Sequence, residues 1–297
     1  MPAIRVRDLR KSYGTIDAVR GVDFDVAEGE VFGFLGPNGA GKTTIVEILE
    51  GYRERTAGTV EVLGHDPARG GRRLRERIGI VLQETGVERF LRVGEVLELY
   101  CGYYPRPRPV GDLLALVGLE DKRDDIVKTL SGGQRRRLDL ALGLAGDPEL
   151  VFLDEPTTGF DPSARREAWD IVRNLRDLGK TVFLTTHYMD EAQHLADRVA
   201  VIAAGRIVAE GPPDSLSGRS DATEIRFSPA PAGELPPLGP ATATLDGQVV
   251  VVRTAEPTAT LHLLTGWALE RGVTLGGLSV SRPSLEDVYL ELTAQHG

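Results

Sequence analysis

Apolar residues recur along this chain in two rhythms. Short runs at Val31 to Leu35, Ile78 to Leu82, Leu150 to Leu153 and Thr181 to Leu184 have strand length and predict apolar strands. Ile4, Val6 and Leu9 alternate with polar residues like a half-exposed strand, and Val22 to Val26 and Thr59 to Leu63 read the same way. Helical spacing governs Ile45 to Leu49, where a helix opens at Lys42, then Arg135 to Leu144, and then Ser163 to Leu178, with Trp169, Val172 and Leu175 on one side. Between Glu88 and about Asp125 the pattern is helical in two pieces, Val96 to Tyr100 and Leu113 to Val117. Pro105, Pro107 and Pro109 separate the two. This stretch predicts a helical subdomain at about 84–145, inserted after Gln83. Val199 to Ala203 and Ile207 to Ala209, around Gly205, predict a hairpin.

Beyond Gly211-Pro212-Pro213 the composition shifts toward Pro, Gly, Ala and Thr, which divides the chain into residues 1–216 and 217–297. In the second part Glu224 to Phe227, Thr242 to Leu245, Gln248 to Arg253 and Val273 to Ser281 are strand candidates. Thr258 to Arg271 and Ser284 to Thr293 are helix candidates, the last with Ser284 and Asp287 in capping positions. A small α+β domain is expected there, behind an α/β main domain.

With 297 residues the chain can bury more than one core, and 41% hydrophobic and 27% charged residues are ordinary for a globular protein. A net charge of -9 argues against nonspecific nucleic-acid binding as the main activity. The basic run from Arg69 to Arg77 reads as a solvated helix face, with nucleic acid or acidic lipid as the alternative. Cys101 is the only cysteine, which leaves no intramolecular disulfide or cysteine-built metal site and suits a reducing compartment. The N-terminus lacks a signal-peptide core, and no run reaches the roughly 18 to 20 apolar residues that span a bilayer. A membrane role would come through a partner.

The chemistry centres on Gly36-Pro37-Asn38-Gly39-Ala40-Gly41-Lys42-Thr43-Thr44, a match to G-x-x-x-x-G-K-[ST] between a predicted strand and a predicted helix. Glycines let the backbone amides approach phosphate oxygens, and the helix end adds unpaired N–H groups and a positive dipole. Lys42 supplies a cation for the β and γ phosphates and the Thr43 hydroxyl is placed for Mg²⁺. A second glycine-led helix start, Leu130-Ser131-Gly132-Gly133-Gln134, has Ser131 placed to cap. It reads either as an anion site or as a capped surface helix with Arg135, Arg136 and Arg137 in water.

The strand Leu150 to Leu153 ends in Asp154 and Glu155. Two carboxylates at a buried strand tip are costly without a metal or proton, so Asp154 suits a Mg²⁺ shell and Glu155 the activation of a water; an acidic turn before Pro156 is the alternative. His187, after Thr185-Thr186 at another strand end, reads as a phosphate sensor or as a structural histidine. Tyr13, on the turn after the first strand, reads as a base-stacking aromatic or as packing.

Together these segments resemble the ATP-binding-cassette ATPases from about Ile4 to Leu216, with Leu130 to Gln134 matching the family's signature motif. The resemblance implies a RecA-like P-loop core with an antiparallel β subdomain and an inserted helical subdomain. It implies that Tyr13 stacks on adenine and that Gln83 touches Mg²⁺ and the attacking water. Ser131, Gly132 and Gly133, followed by Gln134, resemble the signature residues that contact the γ-phosphate of ATP held by a second copy. Glu155 is implied as the catalytic glutamate, His187 as the switch histidine and Asp161 as the aspartate of the loop crossing the dimer interface. The family commonly has leucine where this chain has Phe160, which puts interface packing there in question. The tail from Pro283 to Leu292 is similar to cassettes that energise daunorubicin-type drug exporters.

The implied protein is thus the ATP-hydrolysing subunit of an exporter. It binds ATP and Mg²⁺, forms a homodimer, drives a separate membrane permease from the cytoplasmic side and uses no nucleic acid. The alternatives are an importer subunit, or a soluble cassette acting on ribosomes or nucleic acid, whose relatives typically carry two cassettes or a coiled-coil insertion.

Overall fold

The computed structural model describes residues 2–81, 86–217, 223–228, 235–247 and 249–281. The chain separates into two compact units, dividing between Pro213 and Asp214. The first opens with β1 (Pro2–Tyr13), β2 (Ile16–Ala27), β3 (Val31–Leu35), α1 (Lys42–Leu49), β4 (Ala57–Val62), α2 (Gly71–Arg75) and β5 (Ile78–Val81). Helices α3 (Val93–Cys101), α4 (Val110–Val117) and α5 (Gly132–Gly143) come next. It closes with β6 (Leu150–Asp154), α6 (Pro162–Asp177), β7 (Thr181–Thr186), α7 (Met189–Leu195), β8 (Arg198–Ala203) and β9 (Arg206–Gly211).

A central sheet runs in the order β5-β6-β7-β3-β8-β9, parallel except for β9, which returns beside β8 in the expected hairpin. A second, antiparallel sheet has the order β2-β1-β4. The apolar runs are buried on both faces because each face of the central sheet is covered. Phe32, Phe34, Phe152 and Phe183 pack with Phe24 of β2 and with Ile45 and Leu49 of α1. Val31, Val151, Leu153, Val182 and Leu184 belong to the core shared with α3, α4, α5 and α6.

Register then sets the function-bearing edge. Leu35 at the end of β3 pairs with Thr186 of β7, and Thr185 pairs with Asp154 of β6. Three neighbouring strands therefore end level, about 4.8 Å apart, and release residues 36, 155 and 187 at one rim.

Two features differ from the sequence reading, while the basic run forms the solvated helix expected of it. Strand β7 continues past Leu184 through Thr185 and Thr186, both buried. Helix α7 was not anticipated, because its interior side includes Glu191, a charge that hides the apolar positions Ala192 and Leu195. The helix of the basic run, α2, is short, with only Leu74 buried and Arg72 paired to Glu76. Leu82 and Gln83 lie outside the described residues, as does the expected helix from Ser284.

Helix α8 (Pro213–Ser217) spans the division, and the second unit continues with β10 (Thr223–Ser228), β11 (Thr242–Asp246), β12 (Val249–Thr254), α9 (Pro257–Glu270) and β13 (Gly276–Ser281). Its antiparallel sheet has the order β11-β12-β10-β13. Ile225, Phe227, Val250 and Val252 form its core with Leu264 of α9.

Candidate functional site

The loop between β3 and α1 accepts side chains at few places. A Cβ on Gly36 would lie 2.6 Å from the Ile202 carbonyl oxygen, and one on Gly41 would lie 2.7 Å from that of Ala18. Gly41 also has φ +105, a conformation that glycine adopts without strain. Lys42 is 6% exposed and donates from Nζ to the carbonyls of Gly36 at 2.6 Å and Pro37 at 3.2 Å. The ammonium is thus curled under its own loop. Burial lowers its pKa, and the nearby Glu155 and Asp154 carboxylates oppose that shift.

Pro37, Asn38, Gly39 and the segment Gly41–Thr44 line one side of a cleft, and Asp154 and Glu155 line the other. Ala40 is buried behind the loop, its carbonyl accepting from the Gly205 amide. Tyr13 stands outside this lining; the residue is 39% exposed, with Lys11 Nζ at 5.0 Å and the Arg53 guanidinium at 5.3 Å from its ring centre.

Across the cleft, Asp154 Oδ1 accepts a short hydrogen bond from Thr185 Oγ1 at 2.5 Å. Glu155 turns sharply, with φ +46, a left-handed conformation that costs a non-glycine residue roughly 1 kcal/mol. Its amide donates to the Thr185 carbonyl at 3.1 Å, and its Oε2 accepts from Thr158 Oγ1 at 3.1 Å. His187 Nδ1 approaches Glu155 Oε1 to 3.1 Å without the alignment of a hydrogen bond. The parallel register thus brings Lys42, Asp154, Glu155 and His187 together.

The signature segment forms its own site. Ser131 caps α5: its Oγ accepts from the Gln134 amide at 3.2 Å, while Gln134 Oε1 accepts from the Ser131 amide at 2.9 Å. Asp161 caps α6, accepting at Oδ1 from the amides of Ser163 and Ala164. Ser131, Gly132, Gly133 and Asp161 line a second cleft, which shares no lining residue with the first. Within one chain the two glycine-led helix ends serve different clefts.

Sequence reasoning assigned no role to Thr185 or Thr158, and it placed Arg136 only in the alternative reading of its segment, as a solvated side chain. Polar residues next to a carboxylate at a strand tip were the available signal. Arg136 instead folds inward, because its planar fork matches a row of backbone carbonyls at the end of β6.

A glycine loop between a parallel strand and a helix, facing two carboxylates on a strand two places away, defines a P-loop nucleoside triphosphatase. The family model "ABC transporter" matches residues 19–158, and a model for the C-terminal domain of ABC transporter domain-containing proteins matches 223–284. A daunorubicin resistance ATP-binding protein of Streptomyces coeruleorubidus is 42% identical, over 98% of this chain and 96% of its own. A Nod factor export ATP-binding protein of Paraburkholderia xenovorans is 40% identical, over 99% and 97% respectively. A solved subunit of an ABC transporter complex from Clostridium perfringens is 28% identical, with a TM-score of 0.67 over 73% of this chain and 91% of its own. The chain belongs to the ATP-binding proteins of ABC transporters, a family of ATPases. No helix among the described residues is long and apolar enough to cross a membrane.

Proposed function

We propose that this ATPase powers an exporter, working as a homodimer that clasps two ATP molecules and drives a separate permease from the cytoplasmic side of the membrane. The observation that carries the reading is Glu155, held at the rim of the phosphate cleft by Thr158, with His187 beside it. Support for export comes from the relatives, whose names record daunorubicin resistance and Nod factor export.

In this reading ATP lies with its phosphates over the amides of the 36–44 loop, and Lys42 leaves the loop carbonyls for the β and γ oxygens. Tyr13 stacks on the base. Glu155 accepts a proton from the attacking water, and His187 holds the γ-phosphate side of the cleft. Ser131, Gly132 and Gly133 of the second copy close over the same γ-phosphate, with Gln134 locking their helix end and Asp161 bordering the interface. The separate clefts of one chain support this, since a lone copy leaves each phosphate gripped from one side. Release of phosphate removes the bridge, and the copies part.

Mg²⁺ fits the donors present. The Thr43 hydroxyl and Asp154 carboxylate are hard oxygen ligands beside the phosphate cleft, with Gln83 as a further candidate, and Mg²⁺ needs only one or two protein ligands when phosphates complete its shell. When bound it neutralises charge on the β and γ phosphates.

Glu155→Gln tests the core of this reading. The variant is expected to bind ATP, to lose at least about 100-fold in turnover and to accumulate as a dimer in gel filtration with ATP. Undiminished turnover removes Glu155 from its role. Copurification with a permease, and the side of a vesicle from which cargo leaves, separates export from import or a soluble task.

A further inference from the structure

Arg136 lies on the second turn of α5, five residues beyond its Ser131 cap. Its Nη2 donates to the Asp154 carbonyl at 3.2 Å and lies 3.5 Å from the Glu155 carbonyl, and its Nε donates to the Pro156 carbonyl at 3.4 Å. Three consecutive carbonyls therefore converge on one guanidinium, and they belong to the turn in which Glu155 has positive φ. A turn that points three carbonyls the same way stacks their negative ends together, and a delocalised cation with several donors in one plane offsets this where a single hydrogen bond cannot. Beside Arg136 is a small cavity of about 20 Å³, lined by Val81, Leu140, Leu153, Pro156 and Phe160 among others.

We infer that Arg136 is a positioning residue for hydrolysis: by clamping the carbonyls of Asp154, Glu155 and Pro156 it fixes the turn that aims the Glu155 carboxylate, and it ties that turn to the signature helix of the same chain. The inference rests on the proposed role of Glu155. It adds a route between the two sites of a dimer. The helix whose N-terminus grips one ATP holds, through a side chain on its next turn, the carboxylate that acts on the other ATP. Grip on one nucleotide is thereby mechanically linked to water activation at the second.

The test is a double-mutant cycle on the full chain, with ATP turnover followed by radiolabelled phosphate release and folding followed by thermal melts. Arg136→Ala is expected to lower kcat by at least about 10-fold while KM for ATP stays within about twofold, because aim is lost and the nucleotide contacts remain. In the Glu155→Gln background the same substitution is expected to cost less than about twofold, since a base that is gone leaves nothing to aim. Arg136→Gln, which keeps two donors, serves if the alanine variant does not fold, with the same expectations. Unchanged kcat in a folded Arg136 variant overturns the inference, as does a full additional loss in the Glu155→Gln background. If Glu155→Gln alone turns over normally, it is the reading of Glu155 that fails, and the cycle shows this separately.

Discussion

Thr185 Oγ1 donates to Asp154 Oδ1 across neighbouring strands, and the same hydroxyl lies 3.2 Å from the Glu155 amide. One side chain of β7 thus orients both the carboxylate that suits Mg²⁺ and the backbone of the carboxylate that suits water. Thr185→Val keeps the shape and deletes the hydroxyl. It is expected to lower stability by about 1 kcal/mol, the cost of removing a hydrogen bond from a partly buried acceptor. It is also expected to lower kcat by about 10-fold at temperatures where the protein is folded. Melting and steady-state kinetics on the same preparation check this; a melting change with unaltered kcat makes Thr185 purely structural.

Lys42 is a cation buried under its own loop, at a cost to the free protein. Its pKa is lowered by burial, so in the nucleotide-free state the charged form carries a desolvation cost offset only in part by Asp154 and Glu155. Lys42→Ala is expected to weaken ATP binding by about 100-fold or more, about 2.7 kcal/mol, while the free protein stays within about 1 kcal/mol of the parent. A fluorescent nucleotide titration beside a denaturant melt separates the two effects. Near-normal binding removes Lys42 from the phosphate cradle.

The cap at Ser131 distinguishes helix stability from anion recognition. Ser131→Asp retains an acceptor for the Gln134 amide, so the melting temperature is expected to stay close to the parent's. The added negative charge would face a triphosphate, so ATP-driven dimerisation of the Glu155→Gln form is expected to disappear. Gel filtration with and without ATP reads the outcome, and a persistent dimer argues that the signature helix does not meet the nucleotide.

Glu50 provides a pH signature. It is 6% exposed, and burial, aided by the Asp154 and Glu47 charges, pushes its carboxyl up to about 8 from an ordinary 4.5. A carboxyl whose folded pKa is raised contributes stability that is fully present below its unfolded pKa and is lost as pH rises through its folded pKa. The loss therefore falls between about pH 4.5 and 8. Glu50→Gln is expected to flatten the decline of stability across this window, by up to a few kcal/mol at about 1.36 kcal/mol per unit. Denaturant melts at both ends of the range check it, and parallel curves for parent and variant contradict the assignment.

Much of this protein is written locally. Val31 to Leu35 and the glycine loop after it, the signature segment with its Ser131 and Gln134 box, and the carboxylates after Leu153 each depend on neighbours within a few residues. Strand propensity, glycine freedom and capping act over that range. The elements least legible in sequence broke the polarity rule: Thr185 and Thr186 are buried in β7, and Glu191 is buried in α7. Their polar atoms face other parts of the chain, as Trp169 Nε1 does for Glu191 Oε1, and no local pattern announces such partners.

From the order of its residues alone, the chain settles its α/β alternation, its phosphate-binding loop and its membership of a family of ATPases. Tertiary structure decides the company those residues keep. Strand order puts β7 between β3 and β6, so that Lys42, Asp154, Glu155 and His187 meet at one rim although 145 positions separate the first from the last. It also turns Arg136 from a solvated charge into a clamp on three carbonyls. The physical reason is that local propensities act within a few residues, whereas pairing between distant strands is fixed only when their apolar faces share one core.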